Sequence, residues 1–281
     1  MVRKIALVTD STSDLTADYV RQHNIHVIPL KVVYRDRDYL DRVEIQPQQI
    51  YERLEQEVPT TSMPSVGEVS KFYAQLIKEG YEEILSIHIS SGLSGTVNSA
   101  RLAADNFPYT NIEVVDSRTI SMGTGLLVQQ AADFIKQGVS LESIVAKLQE
   151  IRAHISVIFI VKTLEYLKKG GRIGYVSATM GSLLDLKPII AVNEEGKYFT
   201  MAKIRGRKRS LEKILELAKE AAEKQRLKLI VMHGDALEEA RYIFNELKKS
   251  SRFKDISLGE VGPVIGVHTG PGVVGIVFRP V

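Results

Sequence analysis

Apolar positions along this chain follow two rhythms, and the balance between them changes near the middle. In the first half, short uninterrupted apolar runs alternate with stretches where apolar residues recur every three or four positions. The runs mark strands buried on both faces, and the wider spacing marks amphipathic helices. Strands are predicted over 4–9, 26–34, 84–89 and 112–115, and helices over 47–57, 66–78, 97–106, 121–136 and 140–152. Ser65-Val66-Gly67-Glu68 announces the second helix, since a hydroxyl and a carboxylate at this spacing each satisfy a free N–H of the first turn. The alternation predicts a mostly parallel sheet with helices on both faces.

Beyond residue 153 strands begin to follow one another through turns. A strand is predicted over 155–161, then short helices over 164–169 and 174–184, then two strands around the turn Glu194-Glu195-Gly196. The clearest helix spans 207–225, with Leu211, Ile214, Leu215 and Ala218 spaced for one buried face. A strand over 227–232, a helix over 237–249 and strands over 261–267 and 273–278 complete the series. The expected architecture is α/β and two-lobed. The first lobe (1–153) holds the parallel sheet, and an α+β lobe with a mixed or antiparallel sheet occupies 154–281.

Composition removes several function classes. With 37 basic and 34 acidic residues the net charge is only +3, so nucleic acid is not an expected partner. The chain has no cysteine, which excludes disulfides, thiol nucleophiles and cysteine zinc sites. His23/His26 and His233-Gly234-Asp235 lack a third ligand at a recognisable spacing, so no metal is expected. No apolar run approaches the roughly 20 residues of a membrane span, and the run over 5–8 is too short for a signal peptide. A cytoplasmic location is expected.

Hydroxyls and backbone amides crowd two loops, Thr60-Thr61-Ser62-Met63-Pro64-Ser65 and Ser90-Ser91-Gly92-Leu93-Ser94-Gly95-Thr96. The second joins a buried strand to a helix N-terminus, where free N–H donors meet an anion. Having neither acid nor base of its own, it reads as a holder of an anionic head group. Gly92-Leu93-Ser94-Gly95-Thr96 also approaches the G-x-S-x-G nucleophile elbow, with Thr96 in place of the last glycine. The alternative function is therefore a serine esterase or thioesterase using Ser94 and His268.

His268 is expected in a glycine-rich turn between two strands, Gly266-Val267-His268-Thr269-Gly270-Pro271-Gly272. There glycines permit close approach of a ligand, and an imidazole N–H donates to a carboxylate. A structural histidine bonded to backbone is the plainer reading. Gly270 to Gly275 spells G-x-G-x-x-G, but β-branched residues follow where a dinucleotide site needs a helix. Asp10-Ser11-Thr12-Ser13-Asp14 lies at a strand's carboxyl end, where both capping and a site are reasonable. Lys197, Lys203, Arg205, Arg207, Lys208 and Arg209 occur with no intervening acid, and Lys168, Lys169 and Arg172 form a smaller group. A solvated face explains such clusters, and an acidic partner or phosphate is the functional reading.

Taken in order, several segments resemble the DegV family of fatty-acid-binding proteins. They are the first strand with Thr9-Asp10-Ser11-Thr12-Ser13-Asp14, the two hydroxyl loops, Val115-Asp116-Ser117, Leu164-Glu165-Tyr166-Leu167-Lys168-Lys169-Gly170-Gly171-Arg172-Ile173, and the turn around His268. The resemblance covers essentially the whole chain. It implies two lobes holding a long-chain fatty acid such as palmitate, with its carboxylate on Thr61, Ser62, Ser94 and the Gly95 amide and His268 closing the site. It implies no cofactor and no catalytic residue. The partner would be a separate kinase subunit, similar to dihydroxyacetone kinases, that forms acyl phosphate for phospholipid synthesis. Arg172, Lys203 and Arg205 are the candidates for contacting that partner or the phosphate.

Overall fold

Four of the apolar runs pair into one parallel sheet, in the spatial order Ile25–Ile28, Ile5–Asp10, Glu83–His88, Asn111–Asp116. This comes from a computed structural model, which describes residues 4–179 and 186–281. Alternate side chains of the central strands leave on opposite faces. Ala6, Val8 and Ile84 pack with Val69, Tyr73, Ala100 and Ala103, which belong to helices Val66–Lys78 and Thr96–Ala104. Leu7, Leu85 and Ile87 meet Leu126, Leu127, Ile144 and Leu148 from helices Met122–Lys136 and Leu141–Arg152. Both faces are therefore covered, as the patterning predicts.

A six-stranded mixed sheet follows, ordered Tyr198–Arg205, Leu186–Val192, Ser156–Ile160, Val273–Pro280, Leu227–Gly234, Phe253–Glu260. Leu227–Gly234 and Phe253–Glu260 run parallel, and the other neighbours run antiparallel. Its outer face (Ile158, Val231, Val274, Ile276) packs on helices Arg207–Lys224 and Leu237–Lys248. Its inner face (Val157, Phe159, Met232, Val277) shares a cluster with Met122–Lys136 and the parallel sheet. Helix Met122–Lys136 is thus enclosed between two sheets, and its residues from Met122 to Val128 are all buried. The layers run helix, sheet, helix, sheet, helix.

Several segments depart from the sequence reading. The single strand expected over 26–34 is two: Pro29 follows Ile25–Ile28, and Lys31–Val33 turns away into a small antiparallel sheet between Asp38–Leu40 and Thr60–Ser62. The strand expected over 261–267 is a helix, Pro263–Thr269, with Pro263 in its first turn after Gly262. The sheet's edge is instead Phe253–Glu260, which went unpredicted. Of the helix expected over 174–184, Gly174–Thr179 is a 3-10 turn, and residues 180–184 lie outside the described residues.

A buried polar clasp ties that unexpected helix to residues 14, 41, 42 and 121 of the first half of the chain. Asp14 accepts hydrogen bonds from Arg42 (2.7 Å), the Gly262 amide (2.8 Å) and Ser121. Arg42 also donates to the Glu260 carbonyl at 2.9 Å, and Asp41 accepts from the Val264 amide at 3.2 Å. Burial pushes the Asp14 carboxyl up from its ordinary range, against the pull of Arg42. Asp41 is pushed up to about 6, again chiefly by burial.

Candidate functional site

Residues 90–96 leave strand Glu83–His88 and enter helix Thr96–Ala104 through a tight turn, in which the Leu93 and Ser94 amides both donate to the Ser90 carbonyl. The Ser90 hydroxyl donates across to the Gly196 carbonyl at 2.8 Å, fixing the loop against the Asn193–Lys197 turn of the second sheet. Ser94 Oγ lies 2.8 Å from Thr96 Oγ1 and accepts from the Thr96 amide at 3.3 Å. Among the described residues no protein acceptor takes the Gly95 amide, so one donor of the helix N-terminus remains open.

Beside this loop runs the short edge strand Thr60–Ser62, paired with Lys31–Val33. Opposite both stands the helix Pro263–Thr269, which presents His268 in its last turn. His268 is therefore not in a strand-to-strand turn: the Gly270-Pro271-Gly272 turn joins a helix to strand Val273–Pro280. Gly270 has φ +69, and a Cβ there would overlap the Tyr166 ring. Either reason alone excludes a larger residue.

These three segments enclose a cavity of about 280 Å³ whose walls include Thr61, Ser62, Ser94, Gly95, Arg172 and His268. All five residues expected to hold a carboxylate thus face one space. His268 Nε2 lies 2.8 Å from Thr61 Oγ1, while its Nδ1 is buried without a partner. That nitrogen faces Gly170, where any Cβ would overlap it. Burial, and secondarily the Arg172 charge, hold the imidazole down to about 4, so the ring is neutral near pH 7. Arg172 donates to the Leu93 carbonyl (3.2 Å) and the Gly170 carbonyl (2.7 Å), bridging the hydroxyl loop to the Lys168-Lys169-Gly170-Gly171 turn.

Ile120, Tyr198 and Ile265 line this cavity and also a second, apolar one of about 30 Å³. The second reaches into the inner face of the six-stranded sheet, between Val157, Phe159, Met232, Val273, Gly275 and Val277. Phe159 meets Tyr198 edge-on, with ring centroids 5.1 Å apart. The larger cavity thus carries its polar groups among apolar walls, and the smaller lies against it across Ile120, Tyr198 and Ile265.

Lys203 and Arg205 are not brought to the cavity. Both are exposed on Tyr198–Arg205, the edge strand of the six-stranded sheet, where basic side chains also discourage pairing with another sheet. Arg172 departs from the other two basic candidates by lining the larger cavity. Asp10 is engaged by Thr12, by the Ile89 amide and by buried His88, so with Asp14 the cluster after the first strand serves packing. No group of His, Asp or Glu suited to a metal occurs among the described residues. Leu30, Ile120, Tyr198, Val264 and Ile265 line the site without a sequence signal, since each reads as ordinary core. Gly170 was visible only as part of a motif.

The DegV family model, described as an uncharacterised protein family, matches residues 4–281. The chain belongs to the DegV family. A DegV domain-containing protein of Clostridium acetobutylicum is 42% identical over 277 residues, covering 99% of each chain. Among solved structures, a fatty-acid-binding DegV family protein from Thermus thermophilus superposes with a TM-score of 0.93 at 36% identity, over 99% of this chain and 100% of that one. DegV from Bacillus subtilis, described as a fatty acid binding protein, superposes with a TM-score of 0.91, also at 36% identity and over 99% and 100%. The α/β fold with one parallel and one mixed sheet is that of these DegV-family neighbours. No helix among the described residues of this DegV-family chain is long and apolar enough to cross a membrane.

Proposed function

We infer that this protein binds a long-chain fatty acid and is not itself a catalyst. The observation that carries the reading is the cavity: hydroxyls and an open backbone amide from separate segments line a chamber with largely apolar walls, which lies beside a second, apolar one. A desolvated carboxylate must be hydrogen-bonded, and Thr61, Ser62, Ser94 and the Gly95 amide supply donors, with the Arg172 charge beside them and His268 acting through Thr61. A proton on His268 Nε2 would serve Thr61 Oγ1 and leave the Thr61 hydroxyl free to donate to the ligand. Burial of the tail is worth about 0.8 kcal/mol per methylene, or roughly 10 kcal/mol for a palmitoyl chain before association costs. The DegV-family structures named above as fatty-acid-binding share this fold at 36% identity.

The test is organic extraction of the purified protein followed by mass spectrometry, with displacement titrations on Ser94→Ala and Ser62→Ala. Stoichiometric fatty acid is expected, with each variant binding about tenfold more weakly while keeping its fold, as loss of one hydrogen bond to a charged group implies. Absence of extractable lipid together with no rise in melting temperature on adding palmitate would falsify the reading.

We further propose that the bound carboxylate is offered to a separate kinase subunit, similar to dihydroxyacetone kinases, for conversion to acyl phosphate in the cytoplasm. The site itself supports this division, because it lacks an activated nucleophile. Ser94 is bonded to Thr96, and His268 is bonded to Thr61 and too weakly basic to act as a general base near neutral pH. Lys203 and Arg205 would then face the partner from the exposed edge strand. The charge reversals Lys203→Glu and Arg205→Glu are expected to leave fatty-acid affinity unchanged and to slow acyl phosphate formation by the reconstituted pair. Unchanged kinetics at low and moderate salt would remove those two residues from the interface.

A further inference from the structure

The inner face of the six-stranded sheet carries a row of residues in register across its central strands. Met232 pairs with Gly275, Gly275 with Phe159, and Phe159 with Ile190. Residues in register project to the same face, and this face is the apolar cavity's wall, since Met232, Gly275 and Phe159 all line it. The row is large, absent, large. A glycine in the interior of a central strand weakens the strand and marks a place where something approaches closely.

Close approach is visible at Gly275 itself. A Cβ there would lie 2.9 Å from Phe159 Cβ and 3.0 Å from the Ile158 carbonyl oxygen. Neither atom is the loose end of a flexible side chain, so even alanine would push Phe159 and its strand aside. Phe159 in turn leans edge-on against Tyr198, which borders both the larger cavity and the apolar one. The missing side chain therefore lets Phe159 pack close and rest against Tyr198, which lines both cavities, and the apolar cavity forms the trough along Met232, Gly275 and Phe159.

On the fatty-acid reading above, we propose that Gly275 determines the acyl length the protein accepts, the distal methylenes lying in the trough between Met232 and Phe159. Gly275→Ala fills and narrows the trough. Met232→Ala widens it from the other side without touching the glycine. Neither residue belongs to the carboxylate-binding group, and the shortest acid reports any effect of Gly275→Ala that reaches the head-group site through Phe159 and Tyr198.

The experiment is a displacement series on wild type and both variants, using laurate, myristate, palmitate and stearate, with thermal melts of the ligand-free proteins alongside. Gly275→Ala is expected to weaken stearate relative to myristate by about tenfold, the worth of roughly two methylenes denied burial, with laurate little changed. Met232→Ala is expected to shift preference toward stearate. A uniform loss at every length in Gly275→Ala with an unaltered profile in Met232→Ala would assign the glycine to sheet packing alone and overturn the proposal. Wild-type protein that binds none of the four acids would overturn the fatty-acid reading and this inference with it. Wild-type binding with length profiles unchanged in both variants overturns only the role of Gly275.

Discussion

Arg42→Ala is expected to cost about 3–5 kcal/mol of folding stability, because it strands a buried carboxylate. The Asp14 side chain has 0% exposure, and its salt bridge to Arg42 spans 2.7 Å. Burial already pushes Asp14 upward, and the guanidinium is the largest influence opposing that shift. Without it the carboxylate keeps the Ser121 hydroxyl and the Gly262 amide, neither of which carries charge. The loss should be greatest near neutral pH and shrink as pH falls, since a protonated Asp14 no longer needs its partner. Urea denaturation across that range measures both the size and the slope. Adding Asp14→Asn to Arg42→Ala should recover much of the loss, and no recovery would mean that Arg42 acts through its bond to the Glu260 carbonyl. The same clasp anchors the segment entering helix Pro263–Thr269, so Arg42→Ala should also weaken ligand binding by loosening His268.

Gly170→Ala is expected to weaken fatty-acid binding by about 10- to 100-fold, equivalent to losing a hydrogen bond to a charged group. Gly170 has φ −78, a conformation that alanine adopts freely. The backbone therefore gives no reason for a glycine, and the side chain opposite supplies one: a Cβ would overlap His268 Nδ1. Alanine must displace the ring and break its contact with Thr61. The neighbouring Gly171 provides the control. It has φ +70 with nothing within 4 Å of a Cβ, so Gly171→Ala should cost stability of about 1 kcal/mol while leaving affinity nearly intact. Displacement titrations and melting curves on the two variants separate the effects. Wild-type affinity in Gly170→Ala would detach the Thr61–His268 pair from ligand binding.

What could be read in the sequence, and what could not, follows the range of the forces involved. The strand at the N-terminus, the Ser65–Glu68 capping box and helix Arg207–Lys224 are each specified by neighbours a few residues away. The segment 261–267 misleads because Val261, Val264, Ile265 and Val267 look like a strand buried on both faces. Its helix is held from outside, with Asp41 accepting from the Val264 amide and apolar contacts covering nearly every residue. Only Pro263, at home in a first helical turn, hinted otherwise. The hydroxyl loops were legible because each is contiguous and has no business in a core. Tyr198, Ile120 and Ile265 come from three distant elements, and only the folded chain brings them to one wall.

The placement of strand Val273–Pro280 has a consequence for how the molecule is made. It follows the sheet's other five strands in sequence yet lies at its centre, between Ser156–Ile160 and Leu227–Gly234. While the ribosome is still adding residues before 273, the strands on either side have no common neighbour and the second sheet exists as two unjoined pieces. The parallel sheet, whose strands end at Asp116, is under no such delay. The apolar cavity borrows Val273, Gly275 and Val277 from that strand, so a nascent chain lacks this cavity until the strand is in place. On the fatty-acid reading, ligand uptake is a capacity acquired only after strand Val273–Pro280 has been made.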